Sequence, residues 1–189
     1  MAQTPAPDSA TRYEAAIDAI DQEVARITAE HVRETRRETN GEPSSRAISE
    51  YLESCVSSLI LLKQYLGRRD TAAIDAILDG SLILKEAPKM PNTKEGVTTP
   101  PAFDPAAKAD PVMRYVLALE DINMASARMS TKCFHEEDRE NPSPAILAYL
   151  NSRTPSLYLL EQHLRHEDTV AIDAILKGFL FPIEGPRNA

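Results

Sequence analysis

The segment Ala47–Leu82, AISEYLESCVSSLILLKQYLGRRDTAAIDAILDGSL, returns as Ala145–Leu180, AILAYLNSRTPSLYLLEQHLRHEDTVAIDAILKGFL. The offset is a constant 98 residues, and 21 of the 36 paired positions are identical. A repeat of this kind sets the folding unit before any local pattern is considered. Two copies at so long a period exclude a solenoid or a propeller and leave two related modules. A unit of roughly 75 residues buries too little surface to be more than marginally stable alone. The copies are therefore expected to pack on each other or on a partner.

The pattern within each copy is helical. Tyr13, Ala16, Ile17, Ile20, Val24 and Ile27 recur at spacings of three and four, as one buried stripe requires. Asn40, Gly41 and Pro43 end that helix. Ser44 or Ser45 caps a second, whose inner stripe is Ile48, Tyr51, Leu52, Cys55, Leu59, Leu62 and Leu66. Asp70-Thr71 opens a third, and Gly80 suits the left-handed position after it. In the second copy, Val112, Tyr115, Val116, Leu119, Ile122 and Met129 read as the first stripe. Ile146, Tyr149, Leu150, Leu157, Leu160 and Leu164 give the second, and Asp168-Thr169 and Gly178 bracket the third helix. Pro155 stands inside the second stripe and predicts a kink or restart, either as a tolerated irregularity or as a reshaped surface.

The expected architecture is all-α: two tandem homologous helical-bundle modules joined by a Pro-rich linker. The reading divides the chain into a disordered tail (1–10), module one (11–86), the linker (87–111, with six prolines), module two (112–184) and a short tail (185–189). No heptad seam specifies a mode of self-association, though two marginal cores make a homo-oligomer a possible state.

Composition narrows the function. A net charge of −8 argues against nucleic acid, whose phosphates call for Lys and Arg, and against an anionic membrane surface. No apolar run approaches the ~20 residues of a membrane span. Residues 1–14 lack the basic and apolar regions of a signal peptide, so the expected location is the cytoplasm, with Cys55 and Cys133 reduced.

Catalytic constellations are hard to assemble. The polar identities between copies include Asp70/Asp168 and Thr71/Thr169, which helix capping explains, and Asp75/Asp173, which suit a helix N-terminal dipole. No Gly-rich phosphate loop or nucleophile elbow is present, and no cofactor is implied. Cys133, His135, His163 and His166 hold metal-ligating groups, but at spacings unlike a zinc motif and without counterparts in module one. A helix end favouring partial positive charge is the simpler reading of the histidines. The run His135-Glu136-Glu137-Asp138-Arg139-Glu140 is a solvated helix end, or else an acidic plug for a basic cleft.

The segment from Arg69 to Glu86 resembles the C-terminal part of the small helical immunity proteins that neutralise type VI-secreted NAD(P)-glycohydrolase toxins. Asp70, Ala73, Ile74, Ile77, Gly80, Ser81, Lys85 and Glu86 carry the resemblance. Module two keeps Asp168, Ala171, Ile172, Ile175 and Gly178 but has Phe179 in place of the serine and Ile183-Glu184 in place of Lys-Glu. The family members are single modules, so this chain would be a tandem version. The resemblance implies a non-enzymatic inhibitor that binds a cognate toxin's catalytic domain and occludes its active site. A helical adaptor or chaperone is the alternative. Exposure and charge select Glu34, Glu38, Asp79 and Glu86 in module one, and His135, Glu136, Glu137 and Asp138 in module two, as candidate partner contacts.

Overall fold

Helix α1, Ser9–Thr39, starts where the Asp8 side chain accepts a hydrogen bond from the Thr11 amide at 2.7 Å. Five more helices follow in the computed structural model, which describes residues 8–83 and 110–181: α2 (Arg46–Tyr65), α3 (Thr71–Leu78), α4 (Pro111–Glu137), α5 (Pro144–His163) and α6 (Thr169–Leu176). The described residues contain no strand, and the fold is all-α. A long helix, a helix of 20 residues and a helix of 8 residues occur in that order in each half. Most of the linker, and the tails apart from Asp8 to Ala10, lie outside the described residues.

The caps follow the sequence closely. Ser45 and Ser143 accept from the amides of Ile48 and Ile146, and Asp70 and Asp168 accept from those of Ala73 and Ala171. Gly80 and Gly178 sit at φ 82° and 72°, conformations an L side chain resists. Pro111, expected in the linker, is the first residue of α4, where its missing amide costs nothing. Helix α5 runs through Pro155 without a restart. Asn151 and Pro155 are both exposed, so the carbonyl released by the proline lies on the solvent side.

The principal contact of the fold joins the two halves: α2 packs antiparallel on α5, with α1 and α3 on one flank and α4 and α6 on the other. Tyr51, Leu59, Leu62, Leu157, Leu160 and Leu164 are buried in one continuous core. Ser58 and Ser156 are also buried, and Ser54 Oγ lies 2.6 Å from Ser156 Oγ; small side chains let the two helices approach.

Reciprocal contacts reveal a pseudo-two-fold axis. Ser45 Oγ donates to Asp168 Oδ2 at 2.5 Å, and Ser143 Oγ donates to Asp70 Oδ2 at 2.5 Å. Arg153 reaches Cys55, the residue 98 positions earlier and hence its own equivalent, so the axis passes near this pair. Arg12 pairs with Asp75 as Arg114 pairs with Asp173, tying each long helix to its short one.

The correspondence extends into the long helices at a different offset. Arg12, Tyr13, Ala16, Ile20 and Glu34 match Arg114, Tyr115, Ala118, Ile122 and Glu136, 102 residues later, because α4 ends about one turn sooner after the matched glutamate than α1 does. This register corrects the expected α4 stripe. Val112 and Val116 take the places of Ala10 and Glu14 and are exposed, while Ala118, Ile122 and Ala125 face the core.

Glu34 and Glu136 belong to the interior of this scaffold. Glu34 is 1% exposed and accepts from the Ser45 amide at 2.5 Å and from Arg37 at 3.3 Å. Glu136 is 6% exposed and accepts from the Ser143 amide at 2.7 Å and from Arg139 at 2.9 Å. Each carboxylate thereby holds the loop that returns the chain into the central helix. Replacing Glu34 with Ala strands a buried amide, which should cost about 1–3 kcal/mol. Glu34→Gln keeps an acceptor and should cost less. Urea unfolding of both variants tests this, and equal losses would show that the amide bond is immaterial.

Candidate functional site

The eight residues selected from the sequence do not form one surface. Glu34 and Glu136 are structural, which removes them as exposed contacts: their carboxylates face the loops they anchor, not solvent. Glu86 lies outside the described residues. Glu38 is exposed at the end of α1. It lies near the start of α2, whereas His135, Glu137 and Asp138 lie near the start of α5. Because α2 and α5 are antiparallel and 20 residues long, these corners are roughly 30 Å apart.

The module-two corner gathers more. His135, Glu137 and Asp138 are exposed on the last turn of α4, and Phe134 beside them is 67% exposed. One turn earlier, Lys132 Nζ donates to the Ser81 carbonyl at 3.3 Å, bringing the turn after α3 against α4. Asp79, whose Oδ1 accepts from the Ser81 amide at 2.7 Å, belongs to that turn. Lys132 and Phe134 are two residues apart and lie on nearly opposite sides of α4, so the Asp79 turn packs on the side away from the bare ring, which stands with Glu137 and Asp138. Aromatic side chains are the usual anchors of protein interfaces, and surrounding charge governs encounter and partner choice.

The metal-ligating residues separate. Cys133 donates to Asn151 Oδ1 at 3.3 Å, and burial, with Glu137 nearby, pushes its thiol up. His163 pairs with Glu50 of α2 across the central contact. Arg46 holds the Glu50 carboxyl below the usual range, and His163 adds to the effect. His166 pairs with Glu167 at 3.0 Å and meets the edge of Tyr115. Among the described residues, no group of three His, Cys, Asp or Glu side chains is placed to hold a metal ion.

A second feature went unnoticed in the sequence. A cavity of about 280 Å³ opens between α1, α2, α4 and α5, where the turns after α3 and α6 converge. Arg153 forms part of its wall and is 8% exposed. Its Nη2 donates to Tyr51 Oη at 2.6 Å, its Nη1 to Cys55 Sγ, and the guanidinium stands 5.0 Å from the Tyr51 ring centre. Tyr51 in turn donates to the Leu180 carbonyl at 3.2 Å and packs edge-on against Phe181. The signal was legible in principle: Arg153 occupies a position in the buried stripe that Cys55 fills in the first copy.

Among the described residues, no helix is long and apolar enough to cross a membrane. Comparison with family models, with curated proteins and with solved structures gives no match to this chain.

Proposed function

We propose that the chain is a non-catalytic inhibitor of the immunity type, acting in the cytoplasm by binding a cognate toxin's catalytic domain and occluding its active site. The observation that carries this reading is the exposed Phe134 set among His135, Glu137 and Asp138 at the end of α4. An aromatic ring left in water beside carboxylates is a ready anchor for a basic, concave protein surface. The net charge of −8 favours fast encounter with such a surface. The resemblance of Arg69–Glu86 to toxin-neutralising proteins supplies the partner class, and Asp79 in that segment belongs to the turn packed against α4.

Co-expression tests it. The protein encoded beside this chain, produced alone in a bacterium, should arrest growth, and this chain should restore growth and co-purify with it. A fall in intracellular NAD would identify the toxin's chemistry. The variant Phe134→Ala/Glu137→Lys/Asp138→Lys should lose affinity by about a hundredfold or more, since one buried aromatic anchor alone is commonly worth ~2 kcal/mol or more. Its helical circular dichroism should be unchanged. Unaltered affinity would remove this corner from the interface. A harmless neighbour that still co-purifies would turn the reading toward an adaptor.

A further inference from the structure

The cavity holds a charge that no described residue neutralises. Arg153 presents five donors, and two of them meet a phenol and a thiol. Burial pushes both Tyr51 and Cys55 upward, so both stay protonated at neutral pH and offer no counter-charge. Arg153 Nε is buried without a hydrogen-bond partner. The carboxylates that share the cavity wall are already engaged: Glu23 with Arg26 through two contacts of 2.7 Å, and Glu30 with Arg33. An unpaired buried charge is among the costliest features a fold can carry. The rest of the wall explains what a compensating anion must look like. Leu52, Met129, Phe179 and Phe181 make it largely apolar, and its volume of about 280 Å³ is near the small end of ligand pockets.

We propose that this cavity binds a small amphipathic carboxylate, its oxygens on the Arg153 guanidinium and its hydrocarbon body among Leu52, Met129, Phe179 and Phe181. Of the cations in the wall, Arg26 is taken up by Glu23 and Lys132 is exposed and donates to the Ser81 carbonyl, so the one buried guanidinium of Arg153 selects a monoanion. The apolar wall rejects a heavily hydrated inorganic ion, and the volume, roughly nine waters at ~30 Å³ each, suits a chain of about eight carbons. The site requires both modules, since Leu52 belongs to one and Arg153 to the other. Phe134, His135, Glu137 and Asp138 are not among its lining residues, so it is tested apart from that corner.

Isothermal calorimetry on the full chain with sodium octanoate, 1-octanol and sodium acetate tests the assignment. Octanoate should bind with one-to-one stoichiometry. Octanol, with the same body and no charge, and acetate, with the charge and no body, should each bind at least about tenfold more weakly. Arg153→Met, which keeps the volume and removes the buried charge, should abolish the preference for octanoate over octanol. Met129→Trp, which fills the opposite wall and leaves Arg153 in place, should weaken octanoate at least about tenfold and keeps the test decisive should Arg153→Met fail to fold. Equal binding of octanol and octanoate would overturn the proposal, as would octanoate affinity that survives either substitution or no octanoate binding at all.

Discussion

Module one produced alone, residues 1–86, is expected to form a two-fold dimer, whereas module two alone is expected to remain monomeric and largely unfolded. In the full chain the buried face of α2 is covered by α5. Without α5, that face must find a substitute, because a unit of this size has little other core. A second copy of α2 is a good one. The Ser45–Asp168 and Ser143–Asp70 bonds would become two Ser45–Asp70 bonds between identical chains. Cys55 would face Cys55 near the axis, two small uncharged groups that mild oxidation should cross-link. Module two paired with itself would put Arg153 against Arg153, two like charges brought together in a dry contact. Light scattering after size exclusion distinguishes the cases. A stable, folded monomer of module one, or a dimer of module two, would show that the central contact does not work by this symmetry.

The second large effect concerns Leu62 and Leu160, which are repeat equivalents and fully buried on α2 and α5. Truncating either to Ala removes about three buried carbons and leaves a void where close-packed helices cannot collapse freely. Each single variant should lose about 2–5 kcal/mol. Domains of this size have about 5–15 kcal/mol in total. Leu62→Ala/Leu160→Ala is thus expected to be mostly unfolded at 37 °C, and the singles should shift their urea midpoints similarly. A loss confined to one of them would mean that the two halves do not share a core.

Local chemistry was the most readable part of this fold. Ser45, Asp70 and Asp168 announced helix starts because a short polar side chain can satisfy an amide that the helix cannot. The α2 and α5 stripes were visible because apolar residues recur at helical spacing along one buried side, even though Ile60, Tyr65, Tyr158 and Leu159 on the same helices are exposed. The first stripe of module two was misread for a definite reason. The earlier end of α4 moves the correspondence from 98 to 102 residues, so Val112 and Val116 are apolar yet exposed, like their module-one counterparts Ala10 and Glu14. Glu34 and Glu136 looked like surface charge because sequence cannot show a loop folding back to place its amide on a carboxylate. Phe134 and Arg153 were missed for opposite reasons. One is an apolar residue outside the core, the other a charge inside it, and each depends on which face a helix turns toward its neighbours. Pro155 predicts a kink or restart; with the carbonyl it releases on the solvent side, the helix continues without a restart.

The helix caps along the central contact also determine how the molecule can come apart. The Ser45 hydroxyl oxygen receives the Ile48 amide while its proton goes to Asp168, whose other oxygen receives the Ala171 amide. The Ser143 hydroxyl and Asp70 form the mirror relay to Ile146 and Ala73. The beginning of a central helix in one half and of a short helix in the other are thus links in a single hydrogen-bonded chain. Fraying at either start withdraws a partner from the other, so the two ends melt together. The two sequence-defined modules are therefore expected to unfold as one cooperative unit, with a single transition.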